Sequence, residues 1–126
     1  MPDTPAVAIL GASNNPERYA HKALVMLREH GYHAIPVHPA LDDIDGTPVA
    51  HSLAEIPVPI HTLTLYINPA RLASLLDQVI ALHPVRVIFN PGTESPDART
   101  ALESAGIHCV EACTLVLLRT GQFDTA

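Results

Sequence analysis

Residues 6–10, Ala-Val-Ala-Ile-Leu, form an apolar run that ends at Gly11, and a polar segment separates this run from a helical pattern. A short apolar run of this kind is typical of a strand buried on both faces of a parallel sheet. Parallel strands need a crossover of about a dozen residues or more, and helical patterns occupy the crossovers of this chain. The feature restricts the chain to α/β folds in which helices cover the sheet.

Further apolar stretches predict strands at residues 33–37, 62–67, 85–89 and 107–110. Amphipathic patterns predict helices from the Gly11 turn to about His30, from Pro69, and from the Ser95-Pro96-Asp97 start to Gly106, with a terminal helix or turn at 114–119. Residues 38–54 are predicted to be mostly loop, with Ser52 opening a short helical turn. We therefore expect one domain over residues 1–126, a Rossmann-like, doubly wound parallel sheet of about five strands with helices on both faces. The expected strand order is 3-2-1-4-5, with a ligand at the switch point between the first and fourth strands.

The turn after the first strand has the residue types of a phosphate site. Gly11 lets the backbone turn beneath a ligand, where a Cβ would collide, and the following helix start favours negative charge. Ser13, Asn14 and Asn15 are donors to phosphate or caps of the helix, and both roles are compatible. Arg18 and Lys22 lie one helical turn apart on one face. The turn therefore predicts a phosphate-binding nucleotide site, with contacts from Gly11, Ala12, Ser13, Asn14, Arg18 and Lys22.

The other strand exits add polar groups beside conformationally special residues. The second strand ends in Val37-His38-Pro39, the third in Asn68-Pro69, and the fourth in Asn90-Pro91-Gly92. Because the carboxyl ends of parallel strands meet at one edge of the sheet, these residues are expected to line the same cleft.

Composition and motifs exclude several classes of protein. The net charge is −6, and the seven Lys and Arg residues form no basic run, so a nucleic-acid ligand is not expected. The dinucleotide fingerprint and the acidic residue that would close the second strand are both missing, as is the nucleoside-triphosphate lysine motif. The eight His residues are scattered, so no metal site is predicted. No apolar run approaches the roughly 20 residues of a membrane helix, and Met1–Pro5 lacks the basic start of a signal peptide, so a cytoplasmic location is expected.

The chain resembles the stand-alone CoA-binding proteins related to the N-terminal domain of the succinyl-CoA ligase alpha subunit. The resemblance runs nearly end to end, through four blocks. They are Gly11-Ala12-Ser13 with Pro16-Glu17-Arg18-Tyr19, Pro36-Val37 with Pro39, residues 88–94 (IFNPGTE), and residues 111–118 (EACTLVLL) with residues 120–123 (TGQF). It implies that the Gly11–Asn14 turn and Arg18 hold the phosphates of CoA. It also implies that Val37, His38 and Pro39 lie near the adenosine, and that Asn90, Pro91 and Gly92 line the same cleft. Where the ligase offers a lysine after the second strand, this chain carries His38 or its neighbours.

Three hypotheses about function follow from these observations. The first is a binding module that holds CoA or an acyl-CoA without chemistry of its own, and it has no predicted catalytic residue. The alternatives are an enzyme that uses NAD(P) or acyl-CoA, or a subunit of an acyl-CoA ligase complex. Glu94 and Glu111 are the carboxylates nearest the site, and an acid–base pair would require both at one reacting atom. The open sheet edges and the apolar segment 115–118 favour a homodimer.

Overall fold

The computed structural model describes residues 5–126 and contains five parallel strands in one sheet with helices on both faces. In chain order the elements are β1 (Ala6–Leu10), α1 (Tyr19–Glu29), β2 (His33–Val37), β3 (Asp43–Ile44), β4 (Thr47–Pro48), a 3₁₀ turn (Leu53–Glu55), β5 (Thr62–Leu65), α2 (Pro69–Leu82), β6 (Arg86–Phe89), α3 (Pro96–Ser104), β7 (His108–Glu111) and α4 (Thr114–Arg119). The predicted fold class is confirmed. In the segment expected to be loop, β3 and β4 form a small antiparallel hairpin, and the predicted turn after Ser52 is the 3₁₀ turn.

The predicted strand order is wrong. The sheet has the order β2-β1-β5-β6-β7. The prediction placed β5, the third strand of this sheet in chain order, beyond β2, whereas β5 pairs with β1. The segment after β2 folds back along its outer edge, where the Ala50 N–H donates to the Pro36 carbonyl at 3.0 Å and the His38 N–H donates to the Ala50 carbonyl at 3.0 Å. Because this return occupies the outer edge of β2, β5 pairs at the free side of β1. The topological switch point therefore lies between β1 and β5.

The two faces of the sheet carry separate apolar cores. On one face, Leu63, Leu65, Val87 and Phe89 pack with side chains of α2 and α3, among them Leu72, Val79 and Leu102. On the other face, Val7, Ile9 and Ile88 pack with side chains of α1 and α4, among them Leu24, Leu27 and Leu118. This double burial explains why the strands are apolar without alternation.

The starts of the three longer helices differ. Asn68 caps α2 by accepting from the Arg71 N–H, and Ser95 caps α3 by accepting from the Ala98 N–H, as the sequence predicted for Ser95. By contrast, α1 begins only at Tyr19, after a turn, and its N-cap residue Arg18 makes no side-chain cap bond. Between Gly11 and this helix, Ser13 and Asn15 accept from backbone N–H groups within the turn. The first turn of α1 is left open toward the carboxyl edge of the sheet.

Gly11 is required by its neighbour in the sheet. Its φ is +89°, in the region that favours glycine, and a Cβ at this position would lie 2.6 Å from the Tyr66 carbonyl oxygen and 2.7 Å from Ile67 Cγ2. The sequence predicted a collision with a ligand, whereas the structure places the exit of β5 in that space. The Gly11 turn and the exit of β5 therefore pack directly against each other.

The apolar segment that favoured a homodimer belongs to the core of the domain. Leu115, Leu117 and Leu118 are buried, and Val116 alone of the four is exposed, at 50%. Burial of the three leucines removes this argument for a second copy, and the homodimer stays a prediction.

No helix within residues 5–126 has the length and apolar character needed to cross a bilayer. The expectation about a signal peptide rests chiefly on residues 1–4, which lie outside the described residues.

We expect Gly11→Ala to lower the free energy of unfolding by about 3 kcal/mol or more, because the new methyl group adds a backbone collision to the strain of a positive φ. Gly31→Ala is the matched control, since Gly31 has φ +84° with nothing within 4 Å of the added Cβ. This control isolates the strain alone, about 1 kcal/mol. Urea unfolding of both variants tests the difference, and equal losses would contradict the role given to the Gly11–Tyr66 contact.

Candidate functional site

Three adjoining clefts follow the carboxyl edge of the sheet. The β2 cleft, about 360 Å³, lies between the exits of β1 and β2 and the side of α2, and its lining includes Val37, His38, Pro39 and Arg71. The turn cleft, about 350 Å³, is lined by Gly11, Ala12, Ser13, Arg18, Tyr19, Ala20 and Tyr66. The Cys113 cleft, about 370 Å³, is lined by Tyr19, Lys22, Tyr66, Asn90, Pro91, Cys113, Leu115 and Arg119. Gly11 and Ala12 are shared by the first two clefts, and Tyr19 and Tyr66 by the last two, so the three form one groove, named here the carboxyl-edge groove.

His38 has a fixed orientation in the β2 cleft. Its Nδ1 accepts from the backbone N–H groups of Ala40 at 3.0 Å and Leu41 at 3.1 Å. Both bonds need an unprotonated Nδ1, so the neutral ring carries its proton on Nε2. His38 therefore offers a donor at Nε2. The cleft also contains Arg71, from the first turn of α2.

The turn cleft offers backbone donors without protein acceptors. Within residues 5–126, the N–H groups of Ser13, Tyr19 and Ala20 make no hydrogen bond to the protein. The guanidinium of Arg18 is exposed beside them, and no residue lining this cleft is Asp or Glu. N–H groups at an uncapped helix start, together with a cation, favour an anion.

The Cys113 cleft combines two cations with aromatic and apolar walls. The Lys22 ammonium lies 5.4 Å from the centroid of the Tyr19 ring, and Tyr19 is 68% exposed. Arg119 enters from the last turn of α4. Burial raises the pKa of Tyr66 to about 12, so its hydroxyl keeps its proton at neutral pH.

Asn90 ties together the elements that form the Cys113 cleft. Its Nδ2 donates to Thr64 Oγ1 at 2.7 Å and to the Leu65 carbonyl at 2.8 Å. Its Oδ1 accepts from the N–H and from the hydroxyl of Thr114, each at 2.9 Å. With 2% exposure, the amide is committed to the protein. Asn90 therefore joins the exits of β5 and β6 to the start of α4 and leaves the adjoining Pro91 at the cleft surface.

The structure brings most of the predicted site residues into one groove. The residues that line it are Gly11, Ala12, Ser13, Arg18, Lys22, Val37, His38, Pro39, Asn90 and Pro91. Asn14, Asn68 and Gly92 line none of the three clefts, since Asn68 caps α2 and the Gly92 N–H donates to Glu94 at 2.8 Å. A ligand contact from these three residues stays a prediction.

Of the Tyr, Lys and Arg residues in the lining, four were not predicted as site residues: Tyr19, Tyr66, Arg71 and Arg119. Arg71 and Arg119 lie on exposed helix surfaces, where a cation ordinarily has no special role. Tyr66 directly follows β5, and the rule that directed attention to strand exits could have found it. Nothing in the sequence marks Arg71 or Arg119, because only the docking of α2 and α4 brings them to the groove.

The carboxylates considered for acid–base chemistry are directed elsewhere. Glu94 accepts from the Gly92 N–H, and Glu111 pairs with Arg99 at 3.4 Å, with neither in the lining of the groove. Among residues 5–126, no three His, Cys, Asp or Glu side chains are grouped so that they could hold a metal ion.

Comparison with known proteins gives a family and several structural neighbours. The family model described as "CoA binding domain" matches residues 5–119. An uncharacterized protein, YneT, of Bacillus subtilis (strain 168) is 28% identical over 74 residues, which make up 59% of this chain and 55% of that protein. The matched region thus spans little more than half the length of this curated relative.

The solved structures agree with the fold. A crystal structure of an uncharacterized protein is 36% identical, with a TM-score of 0.88 over 97% of this chain and 100% of that chain. A Thermus thermophilus protein is 32% identical, with a TM-score of 0.88 over 95% of this chain and 91% of that one. A dinucleotide-forming acetyl-coenzyme A synthetase of Ca. Korarchaeum cryptofilum is 15% identical, with a TM-score of 0.72 over 82% of this chain and 25% of that one. At this identity the last likeness concerns the fold alone.

We expect Asn90→Asp to lower the free energy of unfolding by about 3 kcal/mol at pH 7, although the side chain keeps its shape. An oxygen in place of Nδ2 would face the Thr64 hydroxyl and the Leu65 carbonyl. Because the Leu65 carbonyl can only accept a hydrogen bond, that contact would bring two acceptors together. Asn68→Asp is the control, because a carboxylate caps a helix as well as an amide does. Equal stability of the two variants in denaturant unfolding would contradict the role given to the Asn90 hydrogen bonds.

The two thiols should differ in reactivity. Cys109 is buried, and burial raises the pKa of its thiol to about 11, whereas Cys113 is half-buried at the groove. In the native protein at pH 8, a chromogenic aromatic disulfide should modify Cys113 rapidly and Cys109 only on unfolding. Cys113→Ser should abolish the rapid reaction, and Cys109→Ala should preserve it. Rapid modification of Cys109 in the native protein would contradict this assignment.

Proposed function

The chain belongs to the CoA-binding domain family, and from this premise we propose that its carboxyl-edge groove binds coenzyme A or an acyl-CoA non-covalently, without chemistry of its own. The observation that carries the proposal is a row of cations along the groove that have no carboxylate partner among residues 5–126. The row comprises Arg71 in the β2 cleft, Arg18 in the turn cleft, and Lys22 with Arg119 in the Cys113 cleft.

The charge of the groove is opposite to that of the whole chain. The net charge is −6, yet the lining contains four of the seven Lys and Arg residues and no Asp or Glu from the described part of the chain, residues 5–126. Arg99 is the only Lys or Arg in the salt bridges within residues 5–126, so none of the four groove cations has a carboxylate partner. A ligand that carries several negative charges fits this surface.

The diphosphate of CoA fits the turn cleft. There it would accept from the N–H groups of Ser13, Tyr19 and Ala20 and from the Arg18 guanidinium, which have no acceptor among residues 5–126. Because α1 has no side-chain cap while α2 and α3 have one, a bound phosphate would take the place of the cap.

The adenosine fits the β2 cleft, in the orientation that the family resemblance implies. His38 offers its Nε2 donor there, and Arg71 supplies a cation for the 3′-phosphate. Where the ligase offers a lysine after the second strand, this chain would use an arginine from α2. The pantetheine arm then extends past Pro91 into the Cys113 cleft.

Binding without chemistry is favoured by the engagement of the nearby carboxylates. Glu94 and Glu111 point to protein partners outside the groove lining, so neither is placed to move a proton at a bound ligand. The groove lining includes the thiol of Cys113, and a catalytic role for this nucleophile would require a base beside it.

Calorimetric titration of ligand-stripped protein with CoA, dephospho-CoA and NAD⁺ tests the proposal. We expect micromolar binding of CoA and none of NAD⁺. Arg18→Gln should weaken CoA binding by about ten-fold, since it removes a charge-assisted hydrogen bond to phosphate. Arg28→Gln is the matched control, because Arg28 lies on the same helix outside the groove lining and should leave the affinity unchanged.

The same titrations test the placement of the 3′-phosphate. Arg71→Gln should remove most of the difference in affinity between CoA and dephospho-CoA while affecting dephospho-CoA little. Binding of NAD⁺ without CoA would reject the proposal and favour an oxidoreductase. An unchanged difference in the Arg71 variant would reject the assignment of the adenosine to the β2 cleft.

A further inference from the structure

The Cys113 cleft holds positive charge beyond the part of the groove that the phosphates of CoA would occupy. In the placement proposed above, the turn cleft and Arg18 take the diphosphate, and Arg71 takes the 3′-phosphate. Lys22 and Arg119 remain, at the end of the groove where the thiol of the pantetheine arm would lie. Free CoA carries no anion there, so the two cations have no counterpart on it.

Both cations are open to a ligand. Lys22 and Arg119 are exposed, and neither forms a salt bridge with any carboxylate among residues 5–126. They come from different elements, α1 and α4, which pack against each other on the same face of the sheet. The Lys22 ammonium lies over the Tyr19 ring, 5.4 Å from its centroid. An incoming carboxylate therefore does not have to displace another acid from Lys22.

The remaining walls of the cleft suit a short carbon chain. Leu115 and Pro91 are apolar, and the ring of Tyr66 adds an aromatic surface with a protonated hydroxyl. Methylene groups would lie against these walls, while a charged end would reach the cations. A planar guanidinium such as that of Arg119 can bind a carboxylate through two parallel hydrogen bonds, which an ammonium cannot.

We propose that the Cys113 cleft receives an acyl group that ends in a carboxylate, so that the preferred ligand is the CoA thioester of a dicarboxylic acid. This inference rests on the proposed function, because it needs CoA in the groove with its thioester toward Cys113. It adds a class of ligand and two specificity-determining residues, Lys22 and Arg119.

Paired titrations with succinyl-CoA and butyryl-CoA test this preference, because the two acyl groups have the same number of carbons and differ in a terminal carboxylate against a methyl group. At low ionic strength we expect succinyl-CoA to bind about ten-fold more tightly than butyryl-CoA. The ratio should fall toward one in Arg119→Gln and in Lys22→Gln, and Arg119→Lys should retain part of it. Taking the ratio on each variant cancels any loss that is common to the two thioesters.

Arg28→Gln is again the control and should keep the wild-type ratio. A ratio near one in the wild type, or an unchanged ratio in both glutamine variants, would overturn the inference while leaving CoA binding intact. Loss of the ratio in Arg71→Gln instead would place the acyl end in the β2 cleft and overturn it as well. Absence of binding by free CoA, in contrast, would refute the proposed function itself.

Discussion

The buried amide of Asn90 is the interaction on which the carboxyl-edge groove depends. One side chain holds the exits of β5 and β6 and the first residue of α4 at fixed distances, through four hydrogen bonds in a site closed to water. Thr64 and Thr114 complete the network, with their hydroxyl oxygens 2.7 Å apart. A buried polar network is stable only when each of its members has a hydrogen-bond partner. The hydrogen bonds between Asn90 and Thr114 therefore hold the start of α4 in place, and with it Cys113 and Arg119. Gly11 does the same for the other half of the groove through its close approach to Tyr66.

The elements of the fold could be predicted from the sequence because their signals are local. Apolar runs, the Ser95 cap and the glycine after α1 depend on residues close together in the chain, and all were located to within a few residues. Strand order depends on distant pairing, and here the prediction was wrong. Pro36 contained the missing information: a proline has no N–H to donate, so it belongs on an edge strand, and the predicted order placed β2 inside the sheet.

The same distinction between local signals and distant contacts applies to the candidate site. Residues at strand exits could be predicted because the topology of parallel sheets brings all such exits to one edge, whatever their order. Arg71 and Arg119 could not, because a cation on a helix surface acquires meaning only when the helix docks. Gly11 was found for an incomplete reason: the constraint on it comes from the backbone of β5, which no pattern near Gly11 in the chain reveals.

The placement of the cations also has a consequence for the rate at which a ligand arrives. A chain of net charge −6 repels an anion at long range, yet the residues described in its groove lining include cations and no carboxylates. The groove is therefore a positively charged cleft on a molecule that is negative overall. An approaching polyanion is guided toward this cleft at short range, so association depends on orientation as well as on distance. Added salt weakens the repulsion and the guidance together, since both act through solvent over about a Debye length.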